Sequence, residues 1–312
     1  LEEKVVDLRM ASIKSLFGPT DMTVGTPWKK IVVFTLPMLI GNIAQQLYST
    51  VDSIVVGKYV GDNALAAVGS AGPILNLLLV LFIGISMGAS IMVAQYFGAK
   101  QREELSYTIG NCIVLTGIAS LIIMAVSPVI TRPLLEALET PPSIIDWCED
   151  YLMILFLGCA GSAFYNILSG ILRGLGDAFW ALIVLLISTV INIVLDIVFV
   201  ANFNLGVSGV AWATIIAQAV SAILCFMRLA SLKEIFDLKP HFMVLKNKFA
   251  MGVIRLGLPS GLTQAIFSMA MIVVQALTNS FGEMFIAANV IIMRVDGFAM
   301  LPNFSFGTAM TT

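Results

Sequence analysis

Eight stretches of this sequence run for about twenty residues or more with almost no charge, and that feature leaves few folds open. A helix that crosses a bilayer core needs about 20 mostly apolar residues. Spans are read at residues 31–57, 65–97, 107–130, 145–172, 179–201, 209–229 and 252–279, with an eighth from 284 to 312. Charged residues make up 12% of the chain and hydrophobic residues 59%, where a soluble domain carries about a quarter charged residues. So few charges cannot cover a water-facing surface, and the chain is read as an all-α integral membrane protein.

Lys and Arg orient the spans, because cytoplasmic loops hold an excess of them. One side carries Lys4, Arg9, Lys14, Lys29, Lys30, Lys100, Arg102, Arg173, Arg228, Lys233, Lys239, Lys246, Lys248 and Arg255; the other carries Lys58 and Arg132. That bias places the N-terminus in the cytoplasm of a multi-pass protein of the cell membrane. Residues 1–26 have neither an apolar core of secretory type nor a small-residue cleavage site, and read as a cytoplasmic tail. The eighth run stops at Met310-Thr311-Thr312 with no polar flank, so the chain is expected to be part of a longer protein.

Two stretches resemble each other. LPMLIGNIAQQLYSTVDSIVVGKYVGDNALAA and LPSGLTQAIFSMAMIVVQALTNSFGEMFIAA align Pro37 with Pro259, and Gly61, Ala66 and Ala67 with Gly282, Ala287 and Ala288, after a single-residue gap. They open the first and seventh spans, six helices apart, so both begin on the same side. The expectation is two parallel six-helix repeats, or lobes, the second incomplete here, with a binding site at or near their interface. The domains follow: a tail at 1–26, the first lobe at 27–229, a cytoplasmic inter-lobe linker at 230–250, and two helices of the second lobe at 251–312.

Polar residues recur at helical spacing inside the apolar runs. The first span has Asn42, Gln45, Gln46, Ser49 and Asp52; the seventh has Ser260, Thr263, Gln264, Ser268, Gln275 and Thr278; the sixth has Thr214, Gln218 and Ser221. Lipid cannot satisfy such groups, so each stripe faces other helices or water. Several amide-rich stripes fit a water-filled central cavity better than hydrogen-bonded packing alone. Asn42, Gln45, Gln46, Ser49, Gln264 and Gln275 are therefore candidate substrate-cavity residues. The cysteines (Cys112, Cys148, Cys159, Cys225) lack metal-type spacing, and the lone His241 lies in a polar connection, so no metal site and no cofactor is expected.

Ionisable groups within spans are costly and mark function by default. Asp52, Asp196 and Asp296 qualify, with Arg294 beside the last. Asn192 and Asp196 are four apart and share a face. Counting about 1.5 Å per residue from the nearest span end puts Asp52, Asp196 and Thr214 at one level, within roughly 10 Å of the outer surface. Asn166 counts out deeper. Two carboxylates in a low-dielectric pocket do not both ionise freely and titrate as one unit, which makes a proton site. Carboxylate, amide and hydroxyl oxygens also suit Na+. Arg294 and Asp296 point to different faces, either lining the cavity from the second lobe or pairing with further helices. An intramembrane enzyme would need a nucleophile–base pair or metal ligands, and neither is seen, so the chain is not read as an enzyme.

LYSTVDSIVVGKYVG in the first span, GISMGASIMVAQYFGAK, ILRGLGDAFWALI, INIVLDIVFV, GVSGVAWATIIAQ and MRVDGFAMLPNFSFGTAMTT together resemble the multidrug and toxic compound extrusion (MATE) family, from about residue 26 to 312. The resemblance implies twelve helices in two lobes, here cut after about eight, and antiport of small organic, often cationic and amphiphilic, compounds against protons or sodium ions by alternating access. It maps a first-lobe cation site to Asp52, Asn192, Asp196 and Thr214, with Asn166 as an associated polar residue. The branch with a glutamate in the seventh helix is not matched, since Phe267 stands there. The expected partners are small-molecule substrates and the lipid bilayer, with no nucleic acid, and the protein is expected to be a monomer. The alternative is a flippase for a lipid-linked precursor, which a cationic lateral groove would favour.

Overall fold

The computed structural model describes residues 26–137, 140, 142–279, 296–297 and 299–310. The N-terminal tail through Gly25, much of the eighth span and Arg294 lie outside the described residues. The described residues are almost entirely helical: α1 Pro27–Tyr59, α2 Asp62–Gly98, α3 Arg102–Ala137, α4 Ile145–Leu157, α5 Cys159–Gly174, α6 Ala178–Asp196, α7 Gly206–Ser231 and α8 Asn247–Asn279. Residues 299–310 are helical as well.

Local chemistry sets the ends of these helices. Pro27 occupies the first turn of α1, where its missing N–H costs nothing. Gly61 adopts φ +110° between α1 and α2, a conformation open to glycine and strained for other residues. Glu103 and Glu104 sit in the first turn of α3, facing the positive end of its dipole. Asp177 caps α6 by accepting from the Trp180 N–H at 3.4 Å.

The fourth expected span, 145–172, is two helices bent by 51° at Gly158. A side chain at Gly158 would collide with Ile215 of α7, so the glycine lets α7 press against the backbone at the break. The fifth expected span is also interrupted: α6 runs into a π-helical turn, Ile197–Asn202, directly after Asp196. Such turns replace i→i+4 bonds with wider i→i+5 ones and occur often at functional sites.

α2, α5, α7, α6 and α1 pack in succession, with α3 and α4 against α2, α5 and α7. The apolar core is divided between the two ends. One cluster, at the Lys- and Arg-rich end, joins Leu105, Ile109, Ile171, Leu172, Leu229 and Phe236; the other, at the far end, joins Val56, Ala67, Leu135, Leu152, Val200 and Val210. At the far end Arg132 ties α3 to α4 through Glu149 at 2.6 Å and Asp146 at 3.3 Å.

Large apolar side chains point outward along the helices: Val129 is 73% exposed, Leu121 66%, Val190 61% and Ile223 59%. Such a girdle is at home in lipid and not in water. Residues 28–59, 102–136, 178–202 and 206–231 are each long and apolar enough to cross a membrane, and α4 and α5 are so when the bent pair is taken as one span. α2 and α8 run 37 and 33 residues. The chain is an all-α integral membrane protein.

α8 is set against α2 at very close range. Side chains at Gly88 or Gly257 would run into the Val253 and Gly84 carbonyls, and one at Gly84 would meet Gly257 O at 3.0 Å. Small residues allow this approach, and dispersion between the two backbones holds it.

The segment between α7 and α8 is pinned to the first three turns of α3. Arg102 donates to the Glu234 and Lys233 carbonyls, both at 2.8 Å, and pairs with Asp237 at 3.3 Å. Ser106 Oγ accepts from the Asp237 N–H at 2.9 Å. The Tyr107 hydroxyl meets His241 Nε2 at 2.9 Å, with the Lys246 ammonium 3.3 Å from the Tyr107 ring centroid. Asn111 accepts from the Lys246 N–H and donates to Val244 O. Phe236 is fully buried in this clasp.

Candidate functional site

A cavity of about 670 Å³, lined by both apolar and polar side chains, opens between the two apolar clusters. α1 supplies Asn42, Gln45, Tyr48 and Asp52; α4 and α5 supply Tyr151, Ser162, Tyr165, Asn166, Ser169 and Arg173; α7 supplies Thr214 and Gln218. Thr308, from the last described helical residues, also reaches it. The sequence suggested a cavity between lobes. The described one is bounded chiefly by α1, α2, α4, α5, α6 and α7, with Thr308 at its edge; α1 packs on α6 and only slightly on α2, which leaves the middle of the bundle open.

The far end of the cavity carries the acid pair. Helical spacing puts Tyr48 and Asp52 on one face of α1, and Asn192 and Asp196 on one face of α6. The packing of α1 on α6 then brings the two faces together. The Asp52 and Asp196 carboxyls come within hydrogen-bonding reach of each other. Neither has a donor while ionised, so Oδ1 of Asp52 and both Oδ atoms of Asp196 have no hydrogen-bond partner among the described residues. The Asn192 amide, fully buried, likewise has no partner at either Oδ1 or Nδ2. Each such group costs on the order of 1–3 kcal/mol when it is left unsatisfied.

Thr214 stands one step away, its Oγ1 accepting a long 3.4 Å bond from the Tyr48 hydroxyl. The phenols of Tyr48 and Tyr151 are buried and lie in Coulombic range of both carboxyls. This cluster of hard oxygens can hold a proton between two carboxyls or take up a small cation. Asn166 lines the same cavity but donates to the Ser162 carbonyl at 2.8 Å.

The other sequence candidates divide. Asn42 and Gln45 line the cavity, and Asn42 Nδ2 also donates to Ser305 Oγ at 2.8 Å, tying α1 to residues 299–310. Gln46, Gln264 and Asp296 are exposed and do not line it. The side chains of Ser49, Gln275 and Arg294 lie outside the described residues. Sequence reasoning missed Tyr48, Tyr151 and Arg173 as lining residues. The signal for Tyr48 was its four-residue spacing to Asp52, the same spacing that linked Asn192 to Asp196.

At the opposite end Asp177 and Arg228 form a second buried contact, 2.8 Å long. The Arg228 guanidinium also lies 5.2 Å from the Trp180 ring centroid. Among the described residues no group of three or more His, Cys, Asp or Glu is placed to hold a metal ion.

The MatE family model matches residues 37–198, more than half of the chain. The probable multidrug resistance protein YoeA of Bacillus subtilis is 28% identical over 291 residues, covering 91% of this chain and 63% of the relative. The probable multidrug resistance protein NorM of Thermotoga maritima is 26% identical over 289 residues, covering 91% and 62%. Among solved structures, a MOP superfamily transporter from Pyrococcus furiosus matches with a TM-score of 0.85 at 28% identity, over 91% of this chain and 63% of that one. A multidrug resistance MATE family transporter in an outward-facing conformation matches with a TM-score of 0.84, also at 28% identity. The chain thus spans less than two thirds of the length of these proteins.

Proposed function

Since this chain belongs to the MatE family of transporters, we propose that it serves a secondary antiporter that exports small organic compounds, often cationic and amphiphilic, in exchange for protons or sodium ions. The observation that carries this is the orphaned carboxyl pair of Asp52 and Asp196 beside a 670 Å³ cavity. Buried, unpartnered acids are a standing cost that a bound cation relieves. Asp52 also faces the cavity, so a cation taken up there alters the field that a bound compound meets.

In this scheme the cavity receives its compound from the cytoplasm, and a proton or Na+ from outside neutralises Asp52 and Asp196. The repacking of α1 that follows, around Pro37, ejects the compound. Two parallel lobes, with the Lys- and Arg-rich end in the cytoplasm of the cell membrane and a monomer as the working unit, belong to the same proposal. Similarity to proteins named for multidrug resistance supports the export direction. A flippase would call for a cationic lateral groove, and among the described lining residues the basic side chain is Arg173 alone.

The test is dye efflux from proteoliposomes under separately imposed proton and sodium gradients. Efflux driven by one of the two gradients is expected. Equal, passive leakage under both would overturn the proposal.

A further inference from the structure

The same cavity holds, at the end away from the acids, a charged group that cation coupling does not use. Arg173 lies in the last turn of α5, half-buried, and lines the cavity. Its Nη1 donates to Ser169 Oγ at 3.3 Å, a long bond to a neutral hydroxyl. Among the described residues it forms no ion pair. The acid nearest in sequence, Asp177, is taken by Arg228 at 2.8 Å.

Asp52, the acid of the cavity lining, stands at the Tyr151 end. From there to Arg173 the α4–α5 backbone runs on the order of 30 Å at about 1.5 Å per residue. The lining is therefore polarised, with one carboxyl at one end and one guanidinium at the other, and Tyr165, Phe82 and Leu182 in the wall. A half-buried cation without a carboxylate is costly. A guanidinium also presents a planar fork of donors that matches a carboxylate or sulfonate in two-point contact.

We propose that Arg173 is a specificity-determining contact that receives the anionic group of an aromatic amphiphile, so that the cavity favours zwitterions over cations of the same shape. The inference rests on the cavity being the compound-binding chamber of the proposed exporter. An anionic lipid headgroup offers the same chemistry as a carboxylate-bearing compound, and the experiment separates the two.

The purified protein in phosphatidylcholine nanodiscs is titrated with rhodamine 110, which carries a free carboxylate, and with rhodamine 123, its methyl ester; binding is read by fluorescence polarisation. Arg173→Gln is expected to weaken rhodamine 110 at least tenfold and rhodamine 123 less than threefold, with Arg173→Lys recovering part of the loss. Unchanged rhodamine 123 binding shows that the variant is folded. Equal weakening of both dyes, or none for rhodamine 110, overturns the proposal.

The titration is repeated with phosphatidylglycerol in the nanodiscs. Persistence of the dye difference supports a compound site, and its disappearance assigns the contact to lipid and overturns the proposal as stated. Selective binding without gradient-driven transport of either dye would sink the export function and leave the Arg173 contact standing. Failure of the unmodified protein to bind either dye would sink both.

Discussion

Asp177 and Asp196 are buried alike, 1% and 0% exposed, at opposite ends of the same helix, and they are opposites in partnership. Asp177 caps α6, accepts from the Trp180 N–H and pairs with Arg228. Asp196 faces another carboxyl and an amide with no hydrogen-bond partners. A buried carboxylate with its hydrogen bonds filled adds to the rigidity of the fold. One left open keeps a free energy that a ligand can release. Burial alone does not tell these two acids apart; the accounting of partners does.

The sharpest break of this comparison is Asp196→Asn. Cation-driven export should fall by more than tenfold while the thermal unfolding midpoint in detergent holds or rises, because a costly buried charge is gone. A lower midpoint would make Asp196 structural after all. Arg228→Met should do the reverse. It strands Asp177, costs about 3–5 kcal/mol and lowers the midpoint, with the cation dependence of the remaining transport unchanged. A variant as stable as the parent would place Asp177 with Asp196.

Asn192→Leu removes two unsatisfied amide atoms and should raise stability by about 1–3 kcal/mol, again read as the midpoint, while weakening the response to the coupling ion. The smallest effect belongs to Tyr48→Phe. Losing the 3.4 Å bond to Thr214 should cost about 1 kcal/mol at most, with a shift in the ion concentration giving half-maximal transport. An ion response identical to the parent's would remove Tyr48 from the acid site.

Much of this was legible without coordinates. Apolar runs gave the spans, since lipid demands them, and a four-residue spacing put Asn192 and Asp196 on one face. Counting residues set Asp52, Asp196 and Thr214 at one level, and the packing of α1 on α6 brought the acids together. What escaped depended on partners distant in sequence. The bend at Gly158 needs Ile215, far along on α7, and one glycine in an apolar run gives no sign of that. The Asp177–Arg228 pair joins residues 51 apart, and Arg228 was read only as one of many cytoplasmic charges. Residues 230–250 carry the polar composition of a tether, yet Phe236 and the α3 side chains that grip the segment make it part of the bundle.

That grip has a mechanical consequence. A connection held by Arg102, Ser106, Tyr107 and Asn111 has no slack to spend. α8 is held at its foot by α3 and along its flank by the bare backbone of α2. Force applied to α8 is therefore transmitted to the first bundle as leverage about that foot, and is not absorbed in a loose hinge.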